Sequence, residues 1–350
     1  MAHGRYRALR HLTAPVVGMA ARKTGRAPFG HNARMPAPRP FRFLADAREI
    51  ATLRELTETA RRAEAIGIDT LVVPDHLIPQ LAPVPAMAAI AAISDRLRIG
   101  AFVLNNDLRH PAVLAQDLAS LDVLSDGRLD VAIGAGWNRP EYEAIGLRFD
   151  PTPVRQARLA EAIAVLKGCF GDGPFSFTGE HYTIADHDAH PKPVQRPHPP
   201  FMIGGGGRRT LTLAAREAQI VGLAPRILPG GAPDPTSITF EGTREKIGWV
   251  HEAAGERFGA LELNVYPSMT GVSVTDQPLR EAAEVAERLH ERSGVPVSPE
   301  QLLDSPHIFI NTVDGFVEKL RRHRDELGIS SIMVGRVDEL APVVERLAGS

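Results

Sequence analysis

Apolar positions along the chain alternate between two periods, and that alternation is the main structural signal. Short, mostly apolar runs at 41–44, 70–73, 97–104, 129–134, 201–203, 219–223, 261–266 and 331–334 read as strands. Between and after them stand stripes of helical spacing, such as Leu53, Leu56, Ala60, Ala63 and Ile66, then Leu114, Leu118, Leu121 and Leu124, and later Leu279, Ala282, Ala286 and Leu289. Gly67 stands where the first helix should stop, and Ser125-Asp126-Gly127 turns the chain into the fourth strand. Eight strands, each followed by helix, predict an α/β fold, a (β/α)8 TIM barrel, with an open doubly wound sheet as the alternative. A hairpin around Thr178-Gly179-Glu180, flanked by Phe175-Ser176-Phe177 and His181-Tyr182-Thr183-Ile184, is an insertion segment.

Charge divides the chain unevenly. Its formal net charge is −2, yet residues 1–40 hold eight Lys or Arg and no acid, with Pro15, Pro28, Pro36, Pro38 and Pro40 interspersed. This predicts a disordered basic leader over 1–40, an extended start without a role of its own or an arm for a polyanion, and one barrel domain over 41–350. The balance as a whole excludes a protein built to grip nucleic acid or a membrane surface. The longest apolar run, residues 83–93, is shorter than the ~18 residues a membrane span needs. One cysteine, Cys169, permits neither an intrachain disulfide nor a cysteine metal cage and suits a cytoplasmic location.

A barrel of this kind carries its chemistry just after its strands. The second strand runs into Pro74-Asp75-His76, a carboxylate beside an imidazole: Asp75 could set the tautomer of a His76 that handles a proton, or could simply cap the next segment. After the third come Phe102-Val103-Leu104-Asn105-Asn106, two amides behind an apolar run, able to read a ring edge or to form a turn. After the fourth come Gly134-Ala135-Gly136-Trp137-Asn138, small residues that let a flat ligand near the backbone and an indole that could wall it or fill core. After the fifth, Gly204, Gly205, Gly206 and Gly207 lead through Arg208 and Arg209 into a helix. Free amides, a helix amino end and a guanidinium together make a phosphate seat, and no acidic strand end follows at the dinucleotide-fold distance. His181, His187, His190 and His198 lie in a Pro-rich loop without metal-ligand spacing, so no metal is assigned.

These strand ends, the hairpin, the stretch from Lys192 through Pro199-Pro200-Phe201-Met202-Ile203-Gly204-Gly205, the segment from Ser120-Leu121-Asp122 to Gly127-Arg128, Gly134-Ala135-Gly136-Trp137 with Glu141-Tyr142, and Ser305-Pro306-His307 resemble the bacterial luciferase-like family, in particular its coenzyme F420-dependent members. The resemblance runs from about Phe41 to Leu347. It implies a flavin or deazaflavin across the mouth, its phosphate on Gly204, Gly205 and Gly206, its ring flanked by Asp75 and His76, and a non-prolyl cis peptide at Phe102-Val103 behind it. It also implies a homodimer. The family's sugar-phosphate dehydrogenases carry a glutamate proton donor where this chain has Trp137, which argues against that substrate class. The resulting expectation is hydride transfer between F420 and a small organic substrate, with His76 as the catalytic group. An FMN-dependent monooxygenase and a non-catalytic flavin-binding protein are the alternatives.

Overall fold

The computed structural model describes residues 38–228 and 231–350. The basic leader up to residue 37 therefore lies outside the described residues. Eight parallel strands close into a barrel: β1 Arg42–Asp46, β2 Thr70–Val73, β3 Arg98–Ala101, β4 Leu129–Gly134, β5 Phe201–Gly205, β6 Ile220–Leu223, β7 Glu262–Val265 and β8 Ile329–Arg336. Each pairs in parallel with its neighbour in sequence, β3 with β4 included, and β8 returns to pair with β1, so no edge is left open. The predicted TIM barrel is the observed fold, and all eight predicted strands are present.

The third strand departs from its expected span. It stops at Ala101, the Phe102–Val103 peptide is cis, and pairing resumes only at Leu104–Asn105. A run of apolar side chains cannot signal such a break, because both sides of it are equally buried. Phe102 turns inward, packing against Leu44, Val72 and Met333 on one side and Ala132, Met202 and Ile220 on the other. The barrel interior is thus closed by apolar side chains from six strands and this one ring.

Around the barrel the helices follow the predicted stripes. Helix Leu53–Ile66 begins with a capping box, Thr52 with Glu55, and ends on Gly67 at φ 92°, a left-handed turn where a Cβ would also press on Ala348. Leu56, Ala60, Ala63 and Ile66 are buried, whereas Leu53, Leu124 and Leu279, counted in the stripes, are exposed at helix ends. The apolar run 83–93 forms a helix, Pro83–Ile93, that packs on the sheet, and among the described residues no helix is long and apolar enough to cross a membrane. Phe175–Thr178 and Thr183–His187 form the expected antiparallel hairpin. A second small pair, Ser273–Val274 with Ile310–Asn311, lies in the long connection between β7 and β8 and was not anticipated.

The amino ends of the strands are tied by charge. Arg42 on β1 pairs with Asp69 at 2.5 Å, Glu262 at 3.2 Å and Asp130, and Asp130 is shared with Arg98 of β3. Three carboxylates around one buried guanidinium hold it protonated well above its ordinary range. β1, β3, β4 and β7 are thereby clamped together at the end opposite the candidate site.

Candidate functional site

At the carboxyl ends, β2, β3 and β4 contribute one connected set of polar groups. Asp75, buried just past β2, accepts hydrogen bonds from both terminal nitrogens of Arg109, at 2.6 and 3.1 Å, and from the Asn105 amide at 2.9 Å. Both oxygens of the carboxylate are thus engaged by the segment after β3. His76 turns elsewhere: its Nδ1 lies 3.0 and 3.1 Å from the two oxygens of Glu141, on helix Arg139–Ala144 after β4. The idea that Asp75 sets the tautomer of His76 is therefore corrected, because the carboxylate next in sequence points to Arg109 and the one that reaches the imidazole comes from 65 residues on.

Trp137 meets His76 edge-on with centroids 5.5 Å apart and is 73% exposed, so it is a wall at the surface and not core filler. Gly136, at φ 73°, has no room for a side chain: a Cβ there would collide with the Tyr142 hydroxyl and with Asn105 Oδ1. That hydroxyl donates to Asn105 Oδ1 at 2.9 Å, and burial pushes its pKa up to about 12. Asn105 also caps the short 3-10 turn Asn106–Leu108, which makes turn formation its observed use. Gly134 has a similar reason to lack a side chain, since a Cβ would lie 2.9 Å from Val103. Arg155 donates to the Ala135 carbonyl at 2.9 Å and to that of Gly136, fixing the small-residue loop from behind.

The glycine run lies at the end of β5, three strands round the barrel from β2. Gly204 pairs beside Gly222, and Gly205 accepts from the Ala224 amide at 3.0 Å. A Cβ on Gly206 would sit 1.9 Å from the Pro225 carbonyl oxygen, so only glycine fits there, while the Cβ position of Gly207 is open space. Gly207 is the N-cap of helix Arg208–Glu217 and brings no side chain to that helix's first amides. Free amides and the partial positive charge of a helix amino end are the arrangement on which anions are commonly held. Arg208, counted as part of the seat, instead pairs with Glu252 at 2.7 and 2.8 Å, both side chains being exposed.

Two features at this end lacked a sequence signal. Lys246 is buried with its Nζ 2.7 Å from the Ala224 carbonyl and 3.3 Å from His307 Nε2, without a carboxylate. Desolvation lowers its pKa to about 7. Tyr266, just past β7, packs edge-on against Phe102 and His307, and burial raises its pKa to about 12. Arg109 could have been suspected as a cation shortly after a strand end that carries an acid. The Lys246–His307 contact joins segments too far apart for any local pattern. Among the described residues no group of three or more His, Cys, Asp or Glu could hold a metal ion.

The fold and its mouth define an α/β barrel of the kind that keeps its site at the carboxyl ends of its strands, here with an uncapped helix end and side-chain-free turns facing that side. The chain belongs to the luciferase-like monooxygenase family, whose model matches residues 28–231. It is similar to the FMNH2-dependent dimethylsulfone monooxygenase of Pseudomonas putida, 36% identical over 37% of this chain and 35% of that protein. It is also similar to the F420-dependent glucose-6-phosphate dehydrogenase of Nakamurella multipartita, 29% identical over 83% of this chain and 88% of that protein. The stronger local matches are partial: the chain spans about a third of the sulfone monooxygenase and about half of related F420-dependent dehydrogenases. Among solved structures, the coenzyme F420-dependent tetrahydromethanopterin reductase of Methanopyrus kandleri superposes with a TM-score of 0.69 at 17% identity, covering 88% of this chain and 97% of that one, which shows the shared fold.

Proposed function

We propose that the protein is an oxidoreductase that transfers a hydride between coenzyme F420 and a small organic substrate. The observation that carries this reading is Gly206, whose Cβ position is occupied by the Pro225 carbonyl, so that the chain here presents backbone alone before an uncapped helix. The residues fit a phosphate-bearing, flat-ringed cofactor. Gly204, Gly205, Gly206 and Gly207 with the first amides of helix Arg208–Glu217 would hold its phosphate; Phe102 and Val103 would back its ring; Gly134, Gly136 and Trp137 would border it. When bound, the deazaflavin supplies a two-electron hydride carrier with little reactivity toward oxygen.

The chain's own contribution is position and proton handling. Asp75, locked by Arg109 and Asn105, stiffens the turn on which His76 stands. His76 Nε2 has no partner within the chain among the described residues, which leaves that nitrogen available to a bound group. Phe102 and the side chains beneath it exclude water from the barrel interior. One catalytic domain over 41–350, a cytoplasmic location and a homodimer belong to the same reading; they rest on the family resemblance and on the one cysteine, which is buried.

The second reading is an FMN-dependent monooxygenase, favoured by the 36% identity to the sulfone monooxygenase over part of the chain. Titrating purified protein with F420 and with FMN, and following oxygen uptake with each reduced form, separates the two. Saturable F420 binding without oxygen uptake supports hydride transfer. Micromolar FMN binding, no F420 affinity and rapid oxygen uptake establish the monooxygenase instead, and tight cofactor retention without turnover of any acceptor points to a flavin-binding protein.

A further inference from the structure

A histidine that handles a proton needs a defined tautomer, and the side chain that defines it is visible in this fold. Glu141 brings both carboxylate oxygens to within 3.1 Å of His76 Nδ1, and neither partner is freely solvated, at 26% side-chain exposure for His76 and 13% for Glu141. An ionised carboxylate only accepts hydrogen bonds, so the proton between them belongs to Nδ1. Neighbouring charges do not compete for the ring. Asp75 is held by Arg109, and Arg139 and Glu143, on the same short helix as Glu141, face each other at 3.8 Å. The backbone is pinned as well: Gln80 Nε2 donates to the carbonyls of Pro74 and His76, at 2.7 and 3.4 Å, and Trp137 closes one side of the ring.

We propose that Glu141 is the positioning residue for His76: it fixes the Nδ1–H tautomer, so that Nε2 is the single ring atom able to exchange a proton at the mouth, and it steadies the imidazolium formed when Nε2 takes one. This rests on the reading of His76 as the proton-handling group of the cofactor site. It gives the first residues after β4 a purpose. Trp137 holds no exchangeable acid, and the acid that matters stands one turn further on, where it acts through the imidazole and not on the substrate. The pairing is that of an orienting carboxylate behind a catalytic histidine, in which the carboxylate holds geometry and charge without itself becoming protonated.

The test uses the full chain labelled with 15N-histidine, without cofactor, His76→Gln serving to assign the His76 signals in two-bond 1H–15N spectra at a pH where the ring is neutral. In the unmodified protein and in Glu141→Gln, whose amide oxygen still accepts, His76 is expected as the Nδ1–H tautomer. In Glu141→Ala it reverts to a mixture dominated by Nε2–H. With reduced F420 and an organic acceptor that the unmodified protein reduces, so that the hydride leaves the cofactor for that acceptor, Glu141→Ala lowers kcat by roughly 10- to 100-fold while cofactor affinity stays within about twofold; the loss stays below the full general acid–base contribution because the imidazole remains. Glu141→Gln should fall between, since orientation survives and the charge does not. A wild-type His76 in the Nε2–H form, or a tautomer unmoved by Glu141→Ala, overturns the positioning role. An unchanged kcat in a folded Glu141→Ala overturns its functional half. Because the spectra need no cofactor, failure of F420 to bind defeats the hydride-transfer reading alone and leaves the tautomer result standing.

Discussion

The two ends of the barrel treat a buried cation in opposite ways. At the amino ends, Arg42 is surrounded by Asp69, Asp130 and Glu262, and Asp130 serves Arg98 as well. At the carboxyl ends, Lys246 is buried against a carbonyl and a histidine, His307 keeps its Nδ1 unpartnered, and Ser268 and Thr270 carry buried hydroxyls without partners. The carboxyl end pairs Asp75 with Arg109 as well, so what sets it apart is Lys246 with no ion-pair partner among the described residues and these hydroxyls, polar groups buried without the partners that stability alone would supply. The closed end is organised to hold strands together, and the open end is organised to leave donors, an uncapped helix and one imidazole nitrogen available.

The sharpest way to break this contrast is at Asp130. Replacing it with Ala strands Arg42 and Arg98 with one fewer carboxylate between them, and breaking a buried pair by removing one partner costs about 3 kcal/mol or more. Asp69 and Glu262 still face Arg42, which places the effect at the lower end of that range. Chemical denaturation should show the loss, while the affinity for F420 measured on the folded variant stays unchanged. A weakened cofactor site in Asp130→Ala would mean the two ends are not separable.

The converse experiment acts at the mouth. Gly206→Ala drives a methyl into the Pro225 carbonyl and should weaken cofactor binding by roughly 10- to 100-fold, the worth of about one charge-assisted hydrogen bond. Gly207→Ala, one residue on and facing open space, should bind within about twofold of the unmodified chain. Fluorescence titration of both variants, with thermal melting to confirm folding, reads the difference directly. Equal effects at the two positions would remove the glycine turn from the proposed site.

The same contrast explains what could be read from the sequence. Strand positions were legible because parallel strands buried on both faces are continuous apolar runs, and the site's location was legible because side chains after strands share one end of a barrel. Asp75, His76 and the glycine run were singled out by that rule. Their partners were not: Arg109 reaches Asp75 from 34 residues away and Glu141 reaches His76 from 65, distances over which no periodicity carries information. The ionic cluster at the amino ends was missed for the same reason, since its members are scattered from Arg42 to Glu262. The break in the third strand left no mark in the apolar pattern, because Phe102 and Val103 are as apolar as the strand they interrupt; the cis peptide found there was expected from the family resemblance alone.

Lys246 gives the smallest and most specific test, because its burden depends on pH. Its folded pKa is lowered to about 7 from an ordinary 10.5, so between those values the unfolded chain binds a proton that the folded chain does not. Stability must then rise with pH across that window, by at most about 1.4 kcal/mol per pH unit for one group, and level off above it. Below pH 7 the lysine is charged in both states and the full cost of burying it is present. Lys319, whose Nζ donates to the Ile308 carbonyl at 2.6 Å, is lowered to about 7 by burial as well and adds a parallel slope. Lys246→Met should therefore remove part of the rise seen by denaturation between pH 7 and 9, and should be more stable than the parent at pH 6. Arg42→Met offers the opposite case: its guanidinium is held protonated by three carboxylates, so losing it destabilises at every pH in that range. If Lys246→Met were instead destabilising at pH 6, the lysine would have an acidic partner in solution, and the asymmetry between the two ends of the barrel would disappear with it.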